Sequence, residues 1–67
     1  MALSARNRLT GTVRSIEVEG PIAEVVLDVD GSEVTATITS GSVDRLGLEE
    51  GDEATAVVKA SDVMLAN

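Results

Sequence analysis

The chain has no cysteine, no histidine and no phenylalanine, tryptophan or tyrosine. Without Cys there are no disulfides and no thiolate chemistry. Without His the commonest zinc ligand and the commonest general base are both missing. Without aromatics the core must be built from Val, Ile, Leu, Ala and Met, and there is no surface on which bases could stack. No apolar run approaches the ~20 residues of a membrane span. The start, MALSARNRL, lacks the apolar centre of a signal peptide. The expectation is a soluble protein of a reducing cytoplasm.

The chain is also short of positive charge. Its 67 residues hold 12 acidic and 5 basic side chains, a formal net charge of −7. That balance repels nucleic acid and anionic membranes over the surface as a whole. Residues 1–67 read as one small domain, without internal repeat, linker or low-complexity segment. A domain this short buries only about 60% of the surface its unfolded chain exposes. Such domains usually lean on disulfides, a metal or oligomerisation, and here oligomerisation is the route left open.

What is present reads as β structure. In Arg8–Glu19 the apolar or small residues Leu9, Gly11 and Val13 share one phase, whereas Ile16 and Val18 take the other. The flip near Arg14–Ser15 predicts a bulge in one long strand. Gly20–Pro21 is a turn signal. Ile22–Val29 is β-rich, and Asp30–Gly31 is a hairpin signal. Glu33–Thr39 alternates strictly, with Val34, Ala36 and Ile38 on one face. Ser42–Gly47 predicts one short helix, with Ser42 as N-cap and Gly47 at the left-handed C-terminal position. Glu49–Asp52 is a turn, Glu53–Lys59 a strand, and Asp62–Leu65 a short last strand. Three strands, a helix and two strands predict an all-β, five-stranded barrel of the OB type, with the helix between strands three and four.

Few residues offer catalysis. Asp28, Asp30 and Glu33 around Gly31 resemble the start of a calcium loop, but the rest of the twelve-residue pattern is missing, and a solvated turn accounts for them. Asp44, Glu49, Glu50, Asp52 and Glu53 read as a solvated acidic run. Lys59 and Ser61 would share a strand face, which makes a Ser–Lys pair conceivable, but so small a chain supplies no cleft. The expectation is a protein that is not an enzyme. Nucleic-acid binding by the barrel would need stacking aromatics and a basic groove, and both are missing.

The positive charge itself is more informative. Arg6, Arg8 and Arg14 lie near the start, and the one lysine, Lys59, near the end. Small, hydrogen-bonding neighbours surround the first and last of these: Ser4, Ala5 and Asn7 beside Arg6, and Ala60 and Ser61 after Lys59. Small residues leave backbone N–H groups accessible, and such groups beside fixed cations and hydroxyls make an anion site. Thr39 and Ser42 add hydroxyls before the helix. In a barrel, or across a subunit boundary, these segments can converge. Taken singly, each has a plainer reading: Arg6 on a frayed terminus, Lys59 on a rim, Ser42 capping its helix.

Three stretches taken together, SARNRLTGTV, AEVVLDV and ATITSGSVDRLGLEEGDEATAVVKASDVML, closely resemble the Mop family of molybdate-binding (molbindin) domains, over Ser4 to Leu65. The resemblance implies a cytoplasmic protein that binds molybdate or tungstate, with no organic cofactor. It implies a five-stranded OB-like barrel and a homo-oligomer, a hexamer built as a trimer of dimers. Oxyanions would sit at subunit interfaces. It implies contacts from Ser4, Ala5 and Arg6 of one subunit, and from Thr39, Ser42, Lys59, Ala60 and Ser61 of its neighbour. One departure stands out: many members carry Asn just before the AEV stretch, where this chain has Pro21-Ile22. The family's second kind of site uses backbone at this turn, and Pro21 has no N–H to give.

Molybdate is a tetrahedral dianion whose metal is already saturated by oxide. It asks for hydrogen-bond donors and charge, which need neither Cys nor His. Storage or homeostasis of the oxyanion is the function expected, and a sensor or adaptor domain read by another protein is the alternative.

Overall fold

The computed structural model describes residues 5–67. Strand β1 runs Ala5–Glu19, β2 Ile22–Val29 and β3 Ser32–Thr39. Helix α1 spans Ser40–Leu46, β4 Glu53–Lys59, and a 3-10 turn Ala60–Asp62. The strands form one antiparallel sheet in the order β3-β2-β1-β4.

β1 serves two partners in turn. Its first half pairs with β4 and its second half with β2, and Thr12 sits opposite both Glu53 and Asp28. The handover curls the sheet into an open barrel. It requires β1 to bend, and the register of β1 on β2 shifts between Val13 and Ser15, where the apolar phase flips. The extra residue is Arg14. Its side chain turns out over the cross-strand pair Asp28–Glu33, reaching Glu33 Oε2 at 2.8 Å and Asp28 Oδ2 at 3.5 Å. Three exposed charges at such separations contribute little to stability. They do relieve the repulsion of two carboxylates placed directly opposite each other.

The turn at residues 49–52 fastens the bend from the other side. Val13 donates its N–H to the Asp52 carbonyl and accepts one from Gly51, both at 2.8 Å. The Val13 side chain is 2% exposed and forms the core with Ala23, Val25, Leu27 and Val43. The alternation read in β3 is real, and β4 alternates as well. Val34, Ala36 and Ile38, and Ala54, Ala56 and Val58, are half-buried, while their neighbours along each strand are exposed. The Asp30–Gly31 hairpin turns with φ of 51° and 88°, the two positive values that a type I′ turn needs. Asp28 Oδ1 accepts from the Gly31 N–H within it, so the DVDG segment is a turn and not a calcium loop.

Two expectations need correction. The sheet has four strands, not five. Asp62 belongs to the 3-10 turn, and Val63–Leu65 pair with no strand among the described residues. The barrel is therefore open between the edges of β3 and β4, although its overall plan remains that of an OB-like fold. The helix also starts earlier than Ser42. Thr39 is the N-cap: its Oγ1 accepts from the Ser42 N–H at 3.1 Å, which places Ser42 inside the first turn. At the other end Gly47 holds φ 63° and its N–H returns to Asp44, as expected of a left-handed C-terminal glycine.

Candidate anion-binding site

The start of β1 and the end of β4 lie side by side. Ala5 is opposite Lys59, and Asn7 is opposite Val58. Two steps on β1 thus match one on β4, and the surplus residue is Arg6. A bulge of this kind re-aims the residue it carries. Asn7 pins the bulge, its Nδ2 donating to the Val58 carbonyl at 3.3 Å. Arg6 and Lys59 are both exposed and are brought to the same end of the sheet.

Among the described residues, every ion pair involves Arg14. Arg6, Arg8 and Lys59 are in none of them. Three cations without carboxylate partners, gathered at one end of a chain of net charge −7, are positioned to meet an anion from outside. After Lys59 the backbone leaves the ladder at once. Lys59 is extended, at φ −64° and ψ 135°, and Ala60 opens the 3-10 turn. The first N–H groups of such a turn have no partner within it. Ala60 and Ser61 are small and exposed, so nothing bulky covers those groups. Ser61 lies in the turn and not on the strand, which removes the basis for a Ser–Lys pair on one strand face. Ser4 lies outside the described residues, and Ala5 is placed by its backbone alone.

Thr39 and Ser42 are elsewhere. Thr39 pairs with Ile22, and Ile22 with Glu19, at the far end of β1 from Ala5. Within one chain the structure does not bring them to Lys59. Their hydroxyls are engaged with each other at 2.8 Å, and Arg45 Nη2 donates to Ser42 Oγ at 2.9 Å. Ser40 ties this corner to the turn after β1, its N–H reaching the Pro21 carbonyl at 2.8 Å and its Oγ the Gly20 carbonyl at 2.6 Å. Arg45 was missed by the sequence reading. The signal available was its i, i+3 spacing from Ser42 on a helix. The result is a second hydroxyl-rich corner with one cation of its own.

No group of three or more Asp and Glu among the described residues is arranged to hold a metal ion. No described helix is long and apolar enough to cross a membrane.

The TOBE-domain model matches residues 3–65. The chain belongs to the TOBE-domain family. This TOBE domain is 47% identical to molybdenum-pterin-binding protein 2 of Clostridium pasteurianum over 66 residues, which span 97% of each chain. Its fold superimposes on that of a molybdate-binding protein from Sporomusa ovata with a TM-score of 0.93, at 40% identity and over 100% of both chains. It also matches the cytoplasmic molybdate-binding protein ModG, in a crystal form with molybdate bound, at 49% identity and a TM-score of 0.87. That match covers 96% of this TOBE domain and 46% of ModG. The molbindin resemblance read from the sequence is thus shown.

Proposed function

We propose that this TOBE domain binds molybdate, or the nearly isosteric tungstate, and holds it as a store within the cytoplasm, the whole chain 1–67 acting as one binding unit. The observation that carries the reading is the pairing of the Arg6 bulge with Lys59 beside two small residues. It sets two cations, neither in an ion pair among the described residues, next to uncovered N–H groups. That donor set fits a saturated oxyanion. It offers no side chain that would bind the metal directly, and there is no aromatic face on which a pterin ring could stack. The same chemistry gives hydrogen bonding and no bond-making step, so the domain is read as a binder and not an enzyme.

The proposed site forms where two such ends meet across a subunit boundary, with Ser4, Ala5 and Arg6 of one subunit facing Lys59, Ala60 and Ser61 of its neighbour, in a homo-oligomer read as a hexamer. Thr39 and Ser42 sit at the opposite end of β1, so they reach such a site only from a further copy. A cage of donors of fixed size separates molybdate from the smaller sulfate. It also separates it from phosphate, which is partly protonated near neutral pH and needs an acceptor. The sensor reading has no observation in its favour, since curated relatives of matching length are named as binding proteins.

Calorimetric titration with molybdate, tungstate, sulfate and phosphate in turn tests the function. Heat of binding with the first two and none with the others is expected. Equal binding of sulfate, or no binding of molybdate, overturns the reading.

A further inference from the structure

Arg8 is the one cation at its end of the sheet that the proposed site does not use. It pairs with Val57 of β4, while the next residue, Leu9, pairs with Ala56. Ala56 is half-buried and packs against the core, whereas Val57 is exposed. Arg8 therefore stands on the outer face of the sheet, where it is exposed. Side chains alternate along a strand, so Lys59 stands on that face too, one outward position beyond Val57. A residue and the diagonal neighbour of its cross-strand partner lie roughly 7–8 Å apart. The ladder of β1 on β4 holds Arg8 and Lys59 at about that spacing.

Among the described residues, nothing on this face holds Arg8. Next along it come Thr10 and Thr55, whose hydroxyls bond each other at 2.9 Å. The first carboxylate is Glu53, opposite Thr12. Four residues of strand separate it from Arg8, a distance of about 13 Å. Asp62 stands in the 3-10 turn and pairs with no cation among the described residues. Arg6, Arg8 and Lys59 make this end positive, in a chain whose net charge is −7. A dianion is repelled by the surface as a whole and attracted only here. Arg6 is aimed by its bulge. Arg8 lies in regular ladder, where a side chain stands roughly perpendicular to the sheet. It points out into solvent, not along the strand toward Ala60 and Ser61.

We propose that Arg8 is a capture residue for the oxyanion: it draws the dianion toward Arg6 and Lys59 without becoming one of the donors that hold it. The proposal rests on the binding reading above and extends it from the donor cage to the approach. A donor must lie within about 3 Å of the anion. A charge about 8 Å away acts through space alone, and in water it changes the binding of a dianion roughly five-fold. Salt weakens that attraction, since the screening length falls from about 30 Å at 0.01 M to about 8 Å at 0.15 M. The effect depends on charge and not on shape. It therefore serves molybdate and tungstate alike, and selectivity stays with the cage. Where two ends meet at a subunit boundary, each brings its own Arg8.

Molybdate titration of the full-length wild type, Arg8→Gln and Arg8→Lys by calorimetry, at about 10 mM and about 300 mM sodium chloride, tests this. Arg8→Gln is expected to bind roughly four-fold more weakly than wild type at low salt, and less than about two-fold more weakly at high salt. Arg8→Lys keeps the charge without the planar fork of donors and is expected to match wild type at both. A loss in Arg8→Gln that is equal at the two salt concentrations makes Arg8 a donor in the cage and overturns the proposal. Arg8→Gln equal to wild type at low salt overturns it as well, as does Arg8→Lys as weak as Arg8→Gln. The two readings fail differently. Wild type that takes up no molybdate defeats the binding reading, whereas wild type that binds no better than Arg8→Gln defeats this one alone.

Discussion

A β-carbon placed on Gly11 would stand 2.3 Å from the carbonyl oxygen of Asp28 and 2.8 Å from Val29 Cγ2. The contact marks the place where β1 passes from β4 to β2, and the obstacle is backbone, which cannot rotate aside. Gly11→Ala must spread the two strands. We expect a loss of about 1–3 kcal/mol, the usual cost of overpacking, seen as a lower urea midpoint with an unchanged slope. A midpoint equal to wild type would show that the crossing has slack.

Glu24 lies directly opposite Glu17 across β1 and β2. Unlike the Asp28–Glu33 pair, which has Arg14, this pair has no cation bonded to it among the described residues. Glu24→Lys replaces a like-charge pair with an opposite one. A gain of about 0.2–1 kcal/mol is expected, shrinking as salt is added. Thermal melts at low and high ionic strength check both parts.

Thr39 caps α1 through its hydroxyl. Thr39→Ala is expected to lower stability by about 1 kcal/mol, the common cost of losing such a cap. Thr39→Ser keeps the oxygen and is expected to retain most of it. If Thr39 also touches the anion from a further copy, the Ala variant loses molybdate affinity as well. Titration of both variants separates the two roles.

Lys59 belongs to the proposed site and lies at a strand end, exposed. A hydrogen bond to a charged group contributes about 1.5–3 kcal/mol, so Lys59→Ala is expected to weaken molybdate binding roughly 10- to 100-fold. The ligand-free protein should melt unchanged or slightly higher, since Arg6 loses a like-charged neighbour. Wild type gains about 2.7 kcal/mol at a ligand concentration one hundred times Kd, and the variant should show little of that gain. An equal ligand-induced rise in both removes Lys59 from the site.

Much of this fold is legible in the sequence. The phase flip in β1 located its bulge, Asp30–Gly31 its hairpin, and strict alternation the buried face of β3. Those features are local, and the side-chain pattern is their direct cause. The N-cap was harder. Thr39, Ser40 and Ser42 all carry cap-competent hydroxyls, and what separates them is the tie from Ser40 to the Gly20–Pro21 turn, twenty residues away in the chain. The last strand could not be placed from pattern alone. Val63–Leu65 is strand-like in sequence, but pattern says nothing about whether the partner edge is within reach. The grouping of site residues had the same weakness. Arg6 and Lys59 come to one end of the sheet through the register of β1 on β4, whereas Thr39 and Ser42 lie at the other end of β1, and pattern says nothing of how a second copy would bring the two ends together.

The division of β1 between two partners also sets the order in which the molecule can be made. Its second half is matched by β2, the next strand to be synthesised, across a hairpin at Gly20–Pro21. Its first half waits for β4, and Asn7 finds Val58 only across a separation of 51 residues. A nascent chain can therefore form the β1–β2–β3 meander early while residues 5–11 remain unmatched. Closing so distant a contact slows folding. The proposed anion site depends on this late pairing, because Arg6 and Lys59 come together only once β4 has joined the first half of β1.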